Sequence, residues 1–260
     1  MATIEELRNG LSATTIPDDV AATLLKGASS LWLSSDSGAQ LAGDLALCHP
    51  PLKRNEVRAH AVGGDEVWRL TVVAHDRRGL LADTAAILSL DGYSITGASV
   101  TTWAEFDIAL HAVTIAGPEP TDDRLDALGK ALQAAGKGER PKSAFRPTGR
   151  AYVRHTGSAN GGAMISVVAP DQTGLLATIC HWFADTGVSI KAAWITGEGE
   201  ANDVFVVEGD VDVVALERHL SHEDHHQDNP VGDMFADARR AGENLVRGVA
   251  GFIGQVLGRR

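Results

Sequence analysis

Asp76, Gly79, Leu80 and Leu81, in the run DRRGLL, recur as Asp171, Gly174, Leu175 and Leu176 in DQTGLL. Each run follows β-formers, WRLTVVAH in one place and MISVVAP in the other, and each leads into a helical apolar pattern. A corner where a strand gives way to a helix is suited to one kind of chemistry. The first helical turn has backbone N–H groups without intrahelical partners and the positive end of the macrodipole, so it attracts a carboxylate. Gly79 and Gly174 allow a ligand close to the main chain. Asp76 and Asp171 can accept from an ammonium group. The same residues also have a structural reading, in which each Asp is a helix N-cap worth ~1 kcal/mol and each Gly serves a tight turn.

Other chemistry-bearing residues lead less far. His75-Asp76 spells a dipeptide found in metal-dependent phosphohydrolases, but that chemistry needs further His and Asp ligands, and the repeat has Pro170 where the first copy has His75. In HLSHEDHH, a helix would put His219, His222, Glu223 and His226 on one face. Such a face could hold Zn or Ni; the adopted reading is a solvated polar helix end whose histidines titrate near neutrality. No Gly-x-x-x-x-Gly-Lys-Ser/Thr phosphate loop, Gly-x-Ser-x-Gly elbow or Cys-His constellation is present.

The elements that must hold the two corners come from a duplication. Asp76 aligns with Asp171 at an offset of 171 − 76 = 95. At that offset, without a gap, Val72 and Val73 fall on Val167 and Val168, Gly92 on Gly187, Ser94 and Ile95 on Ser189 and Ile190, and Ala98 on Ala193. Each copy reads strand, helix, strand, strand, helix. Leu176, Ile179, Cys180 and Phe183 form one apolar helix face. Gly92 and Gly187 sit where a helix C-terminus wants a left-handed residue. The apolar phase slips between Ile95 and Ala98, and between Ile190 and Ala193, which predicts a bulge in each second strand. Short helices are expected before the first copy, in IPDDVAATLLKG and SGAQLAGDLALC. AYVRHTG is a strand that either closes the first copy or adds an edge to the second. The expected division is an N-terminal helical segment (1–62), a first domain (63–140), a linker with an added strand (141–162), a second domain (163–228) and a long C-terminal helix (229–260).

VVAHDRRGLLADTAAIL…GYSITGASVTT and VVAPDQTGLLATICHWF…GVSIKAAWIT resemble ACT domains, small ferredoxin-like regulatory modules. More narrowly, the tandem resembles the carboxy-terminal ACT pair of the bacterial PII uridylyltransferase/uridylyl-removing enzyme. The resemblance implies an α+β fold of two βαββαβ domains in tandem. It further implies an amino acid bound by the loop between first strand and first helix, at an interface between paired units. Carried onto this chain, the loop positions are Asp76, Arg78, Gly79, Leu80 and Leu81, and Asp171, Thr173, Gly174, Leu175 and Leu176. Ser94, Ile95, Ser189 and Ile190 are the positions that reach across the interface. The family commonly has Asn where this chain has Ser94 and Ser189; a hydroxyl is shorter and offers one donor rather than two, which leaves the ligand unnamed.

Composition sets outer limits. A formal net charge of −11 disfavours nucleic acid and anionic membrane as general partners, and 5% aromatic residues disfavour a base-stacking surface. Cys48 and Cys180 cannot make a disulfide framework, no stretch is long and apolar enough to span a bilayer, and the N-terminus lacks the features of a signal peptide, so a cytoplasmic protein is expected. The catalytic halves of the uridylyltransferase would need several hundred more residues. The expectation is therefore a non-enzymatic, cofactor-free regulator of nitrogen metabolism that binds an amino acid and pairs as a homodimer. Its rival is a dimerisation scaffold or regulatory subunit that acts on a separate protein and has no ligand.

Overall fold

The computed structural model describes residues 2–28, 30–143, 145–159 and 161–221. The expected C-terminal helix at 229–260, and His222 and His226, lie outside the described residues. Four helices come first: α1 (Ile4–Leu11), α2 (Asp18–Gly27), α3 (Ser30–Leu33) and α4 (Gly38–Ala46). A capping box between Thr3 and Glu6 starts α1. The first repeat then runs β1 (Val57–Gly64), β2 (Val67–His75), α5 (Leu80–Leu90), β3 (Ser94–Trp103), β4 (Ile108–Ala116) and α6 (Asp122–Gly136). The second runs β5 (Tyr152–Ala159), β6 (Gly162–Pro170), α7 (Leu175–Asp185), β7 (Ser189–Glu198), β8 (Glu200–Glu208) and α8 (Val213–Leu220).

The order within each repeat is therefore ββαββα, where βαββαβ is expected from the sequence. The strand that flanks β2, or β6, comes from the N-terminal side of the repeat. Val57–Gly64 is a strand where short helices were expected up to residue 62. Tyr152–Ala159 extends the second repeat and does not close the first. The offset of 95 carries β1 onto β5, since 152 − 57 = 95, so both flanking strands belong to the duplication. β1 and β2 need only Asp65 and Glu66 between them. Both have positive φ, 51° and 64°, the left-handed pair that a tight hairpin demands.

All strands join one antiparallel sheet in the order β1-β2-β4-β3-β7-β8-β6-β5. The two repeats meet at its centre, where Gly97 to Val100 pair with Thr196 to Ala193. The expected bulges are there, between Ile95 and Gly97 against β4 and between Ile190 and Ala192 against β8. On one face, α5, α6, α7 and α8 close a single core that runs through both repeats, from Leu70 and Val72 to Phe205 and Leu220. On the other, α1 to α4 pack Leu7, Leu24, Trp32, Leu41 and Leu45 over Val73, Leu110 and Trp103 of the first repeat. Arg69 locks this second layer down: its guanidinium grips buried Asp44 through two 2.6 Å bonds and also reaches Asp36 at 2.8 Å.

Candidate functional site

The corners form as their sequence suggests. α5 and α7 begin at Leu80 and Leu175, and the residue before each is a left-handed glycine, Gly79 at φ 83° and Gly174 at φ 89°. No side chain caps either helix, so Asp76 and Asp171 are not N-caps. Instead the backbone folds back, Leu80 N–H donating to Arg77 O and Leu175 N–H to Gln172 O, both at 3.1 Å.

Two clefts open at these corners, and each is built from both repeats. The first has about 410 Å³ of space, its open mouth included. It gathers Asp76, Arg78, Gly79, Leu80 and Leu81 with Ser189 and Ile190 from the other repeat. The second, about 390 Å³ on the same measure, gathers Asp171, Thr173, Gly174, Leu175 and Leu176 with Ser94 and Ile95. The sequence-predicted positions thus divide evenly, and the exchange follows from the sheet. Antiparallel pairing of β3 with β7 runs the start of each strand toward the other repeat's corner. The four leucines are buried and their side chains belong to the core.

Sequence reasoning missed the buried titratable group in each cleft. His111 on β4 lines the first and Asp203 on β8 lines the second. They are equivalent positions: 203 − 111 = 92, three less than the offset of 95 because the β7–β8 connection is three residues shorter than β3–β4. A gap of three residues in the alignment of the repeats sets these two polar residues on one position. Burial, with the charge of Arg77 adding to it, pushes the His111 imidazole down to about 3, so the ring is neutral. Its Nδ1 lies 3.2 Å from Thr84 Oγ1. Burial pushes the Asp203 carboxyl well above the usual range; the Thr196 backbone N–H opposes this and Asp171 reinforces it. Asp203 Oδ1 has no hydrogen-bond partner.

The cleft mouths are polar. Burial raises the Asp76 carboxyl against the pull of Lys191. It raises Asp171 likewise, and a backbone N–H opposes the shift in each, that of Arg77 at Asp76 and that of Gln172 at Asp171. The Asp171 carboxylate lies against the backbone of Gly197, where an added Cβ would come within 2.6 Å of Oδ2. The linker after α6 crosses both corners. Arg140 donates to Arg78 O at 3.0 Å, and Ser143 donates to Gly174 O at 3.0 Å. Between the clefts, α5 and α7 share a polar contact. Asp83 accepts from Arg77 at 2.6 Å and faces His181 Nε2 at 3.6 Å, beyond hydrogen-bond length. Burial drives the Asp83 carboxyl upward, but His181 and Arg77 outweigh it and hold it below its ordinary value.

The catalytic and metal motifs resolve otherwise. His75 sits 3.1 Å from Asp107 and 3.3 Å from Lys53 O, a local pair on the surface. His219 lies in the last turn of α8. Among the described residues no three His, Cys, Asp or Glu side chains are grouped to hold a metal ion. No helix among them is long and apolar enough to cross a membrane.

No family model matches the chain. It is similar to the bifunctional uridylyltransferase/uridylyl-removing enzyme of two strains of Caulobacter vibrioides, 29% identical over 162 aligned residues that take in 56% of this chain. The chain spans 17% of that enzyme's length. Among solved structures, an unknown protein from Galdieria sulphuraria aligns with 72% of this chain and 94% of its own, at 15% identity and a TM-score of 0.22. A double ringed trimeric shell protein from the RMM microcompartment aligns with 65% of this chain and 87% of its own, at 12% identity and a TM-score of 0.19.

Proposed function

We propose that the chain is a non-enzymatic regulatory protein built on two ACT-type repeats, which binds a small zwitterion, an amino acid, in one or both clefts. One observation carries this reading: each corner receives the Ser-Ile pair of the opposite repeat, which is the composite arrangement the ACT resemblance implies. An uncapped helix N-terminus with the positive end of its dipole suits the carboxylate. Asp76 or Asp171 at the mouth suits the ammonium. Because each cleft spans both repeats, a ligand ties one repeat to the other, and that coupling is how its presence is passed on. Typical couplings of this kind are ~1–3 kcal/mol. The two sheet edges, β1 and β5, are the surfaces for pairing with a second copy.

A second reading, a scaffold without ligand, draws support from the linker, because Arg140 and Ser143 already lie over Gly79 and Gly174. A thermal-shift screen against the twenty amino acids separates the two. A ligand at 100 times its Kd adds ~2.7 kcal/mol, a rise of several degrees in Tm. At least one amino acid should give that rise, and Gly79→Ala or Gly174→Ala should remove it while circular dichroism stays native. A flat response to all twenty would leave the scaffold.

A further inference from the structure

The two clefts are copies in backbone and differ in the ionisable side chains that line them. The repeat relates Arg77 to Gln172 and Arg78 to Thr173 at the offset of 95, and His111 to Asp203 at 92. The first cleft is therefore lined by Arg77, Arg78, His111 and Asp76, with the Arg77 guanidinium paired to Asp83. The second is lined by two carboxyls and no basic side chain. Asp203 is 1% exposed, and its Oδ1 lacks a hydrogen-bond donor among the atoms around it. Burial keeps the Asp203 carboxyl in its protonated form, and a cationic donor arriving beside Oδ1 lets it ionise and pairs the buried oxygen. Asp171 stands at the mouth of the same cleft, its carboxylate held against Gly197. Ser94 of the other repeat brings a hydroxyl to it, and Ile195 and Ala201 offer apolar wall for a short hydrocarbon.

We infer that the second cleft is a site for a small organic amine, its ammonium group held between Asp171 and Asp203 and its hydrocarbon laid along Ile195 and Ala201. The inference rests on the clefts being ligand sites and adds that they are no longer equivalent. The second selects a cationic group and does not need a carboxylate, whereas the first, with Arg78, keeps the requirement for one. Among the described residues no three His, Cys, Asp or Glu side chains are grouped to hold a metal ion, and the cation of this inference is organic.

Titration calorimetry on the full chain tests this with three probes of matched length: n-butylamine, butyrate and norvaline. n-Butylamine should bind the native protein, and butyrate should not compete with it. Asp203→Asn and Asp171→Asn should each weaken n-butylamine at least ~10-fold, about 1.4 kcal/mol, while Arg124→Gln, exposed on α6 and outside both clefts, leaves it unchanged. Asp203→Asn keeps the shape of the side chain, and circular dichroism of each variant checks that it folds. If norvaline binds and survives both Asn variants while n-butylamine does not bind at all, the inference is overturned and the amino-acid reading stands. If calcium chloride gives the heat that n-butylamine fails to give, the organic-amine assignment is overturned. If nothing from the three probes or the amino-acid screen binds, both readings fall together.

Discussion

His111 and Asp203 occupy the same place in the two repeats, and burial moves them in opposite directions for one reason. Low polarity disfavours whichever form is charged, so an imidazole is pushed down and a carboxyl up. The consequence for stability is testable at His111. Unfolded, the ring takes a proton below about 6.5; folded, it resists until about 3. Between those values the unfolded chain binds the extra proton, so stability falls as pH falls, by roughly 1.4 kcal/mol per pH unit for one such group. The carboxyls of Asp76, Asp171 and Asp203 are raised and act with the opposite sign, since their protonated forms favour the folded chain. The comparison must therefore be with a variant. From about pH 6.5 to about pH 4.5, urea unfolding should show the native protein losing ~2 kcal/mol more than His111→Asn. Equal losses would mean that the ring is not held neutral.

Each corner depends on a left-handed glycine that a side chain would strain by ~1–2 kcal/mol. The two differ in what lies over them. A Cβ at Gly79 meets the guanidinium of Arg140 at 2.7 Å, the far end of a flexible side chain. A Cβ at Gly174 meets Ser143 Oγ at 2.8 Å and the Phe145 backbone nitrogen at 3.3 Å. The first obstacle can swing away, whereas the second is short and tied to the main chain. Both Gly→Ala changes should destabilise, and Gly174→Ala by about 1 kcal/mol more, read from urea midpoints at unchanged slope. An equal or reversed order would show that the linker does not press on the second corner. At Gly197, by contrast, any side chain displaces the Asp171 carboxylate, so that glycine serves the cleft and not a turn.

At the scale of the molecule, two repeats of similar outline share one sheet and one core. Ala98 and Val100 of β3 lie in the same apolar cluster as Ala193 and Ile195 of β7, and α5 packs on α7 through Asp83 and His181. Neither repeat has a finished surface where they meet. Unfolding should therefore be a single transition, coincident by far-ultraviolet circular dichroism and tryptophan fluorescence. Those probes sample different places: Trp32 and Trp103 report on the helical layer over the first repeat, and Trp182 and Trp194 on the second. Two separated transitions would mean that the junction of β3 with β7 is a contact between independent bodies.

Much of this was readable along the chain. The offset of 95, the two corners, the left-handed glycines at 79, 92, 174 and 187, and the phase slip that becomes a bulge are local features, each written in a few neighbouring residues. β1 escaped because Val57–Gly64 is a flanking strand with mostly half-exposed and exposed residues, so it carries little apolar alternation to recognise. What only the tertiary structure decided is which corner meets which serine. Ser94 and Ser189 are separated from their partner corners by long stretches of chain, and the local pattern is equally satisfied by pairing within a chain or between two. The antiparallel seam of β3 with β7 makes the choice. It also buries His111 and Asp203 beneath the clefts, because depth in a core is a property of everything packed around a residue and not of the residues beside it in sequence.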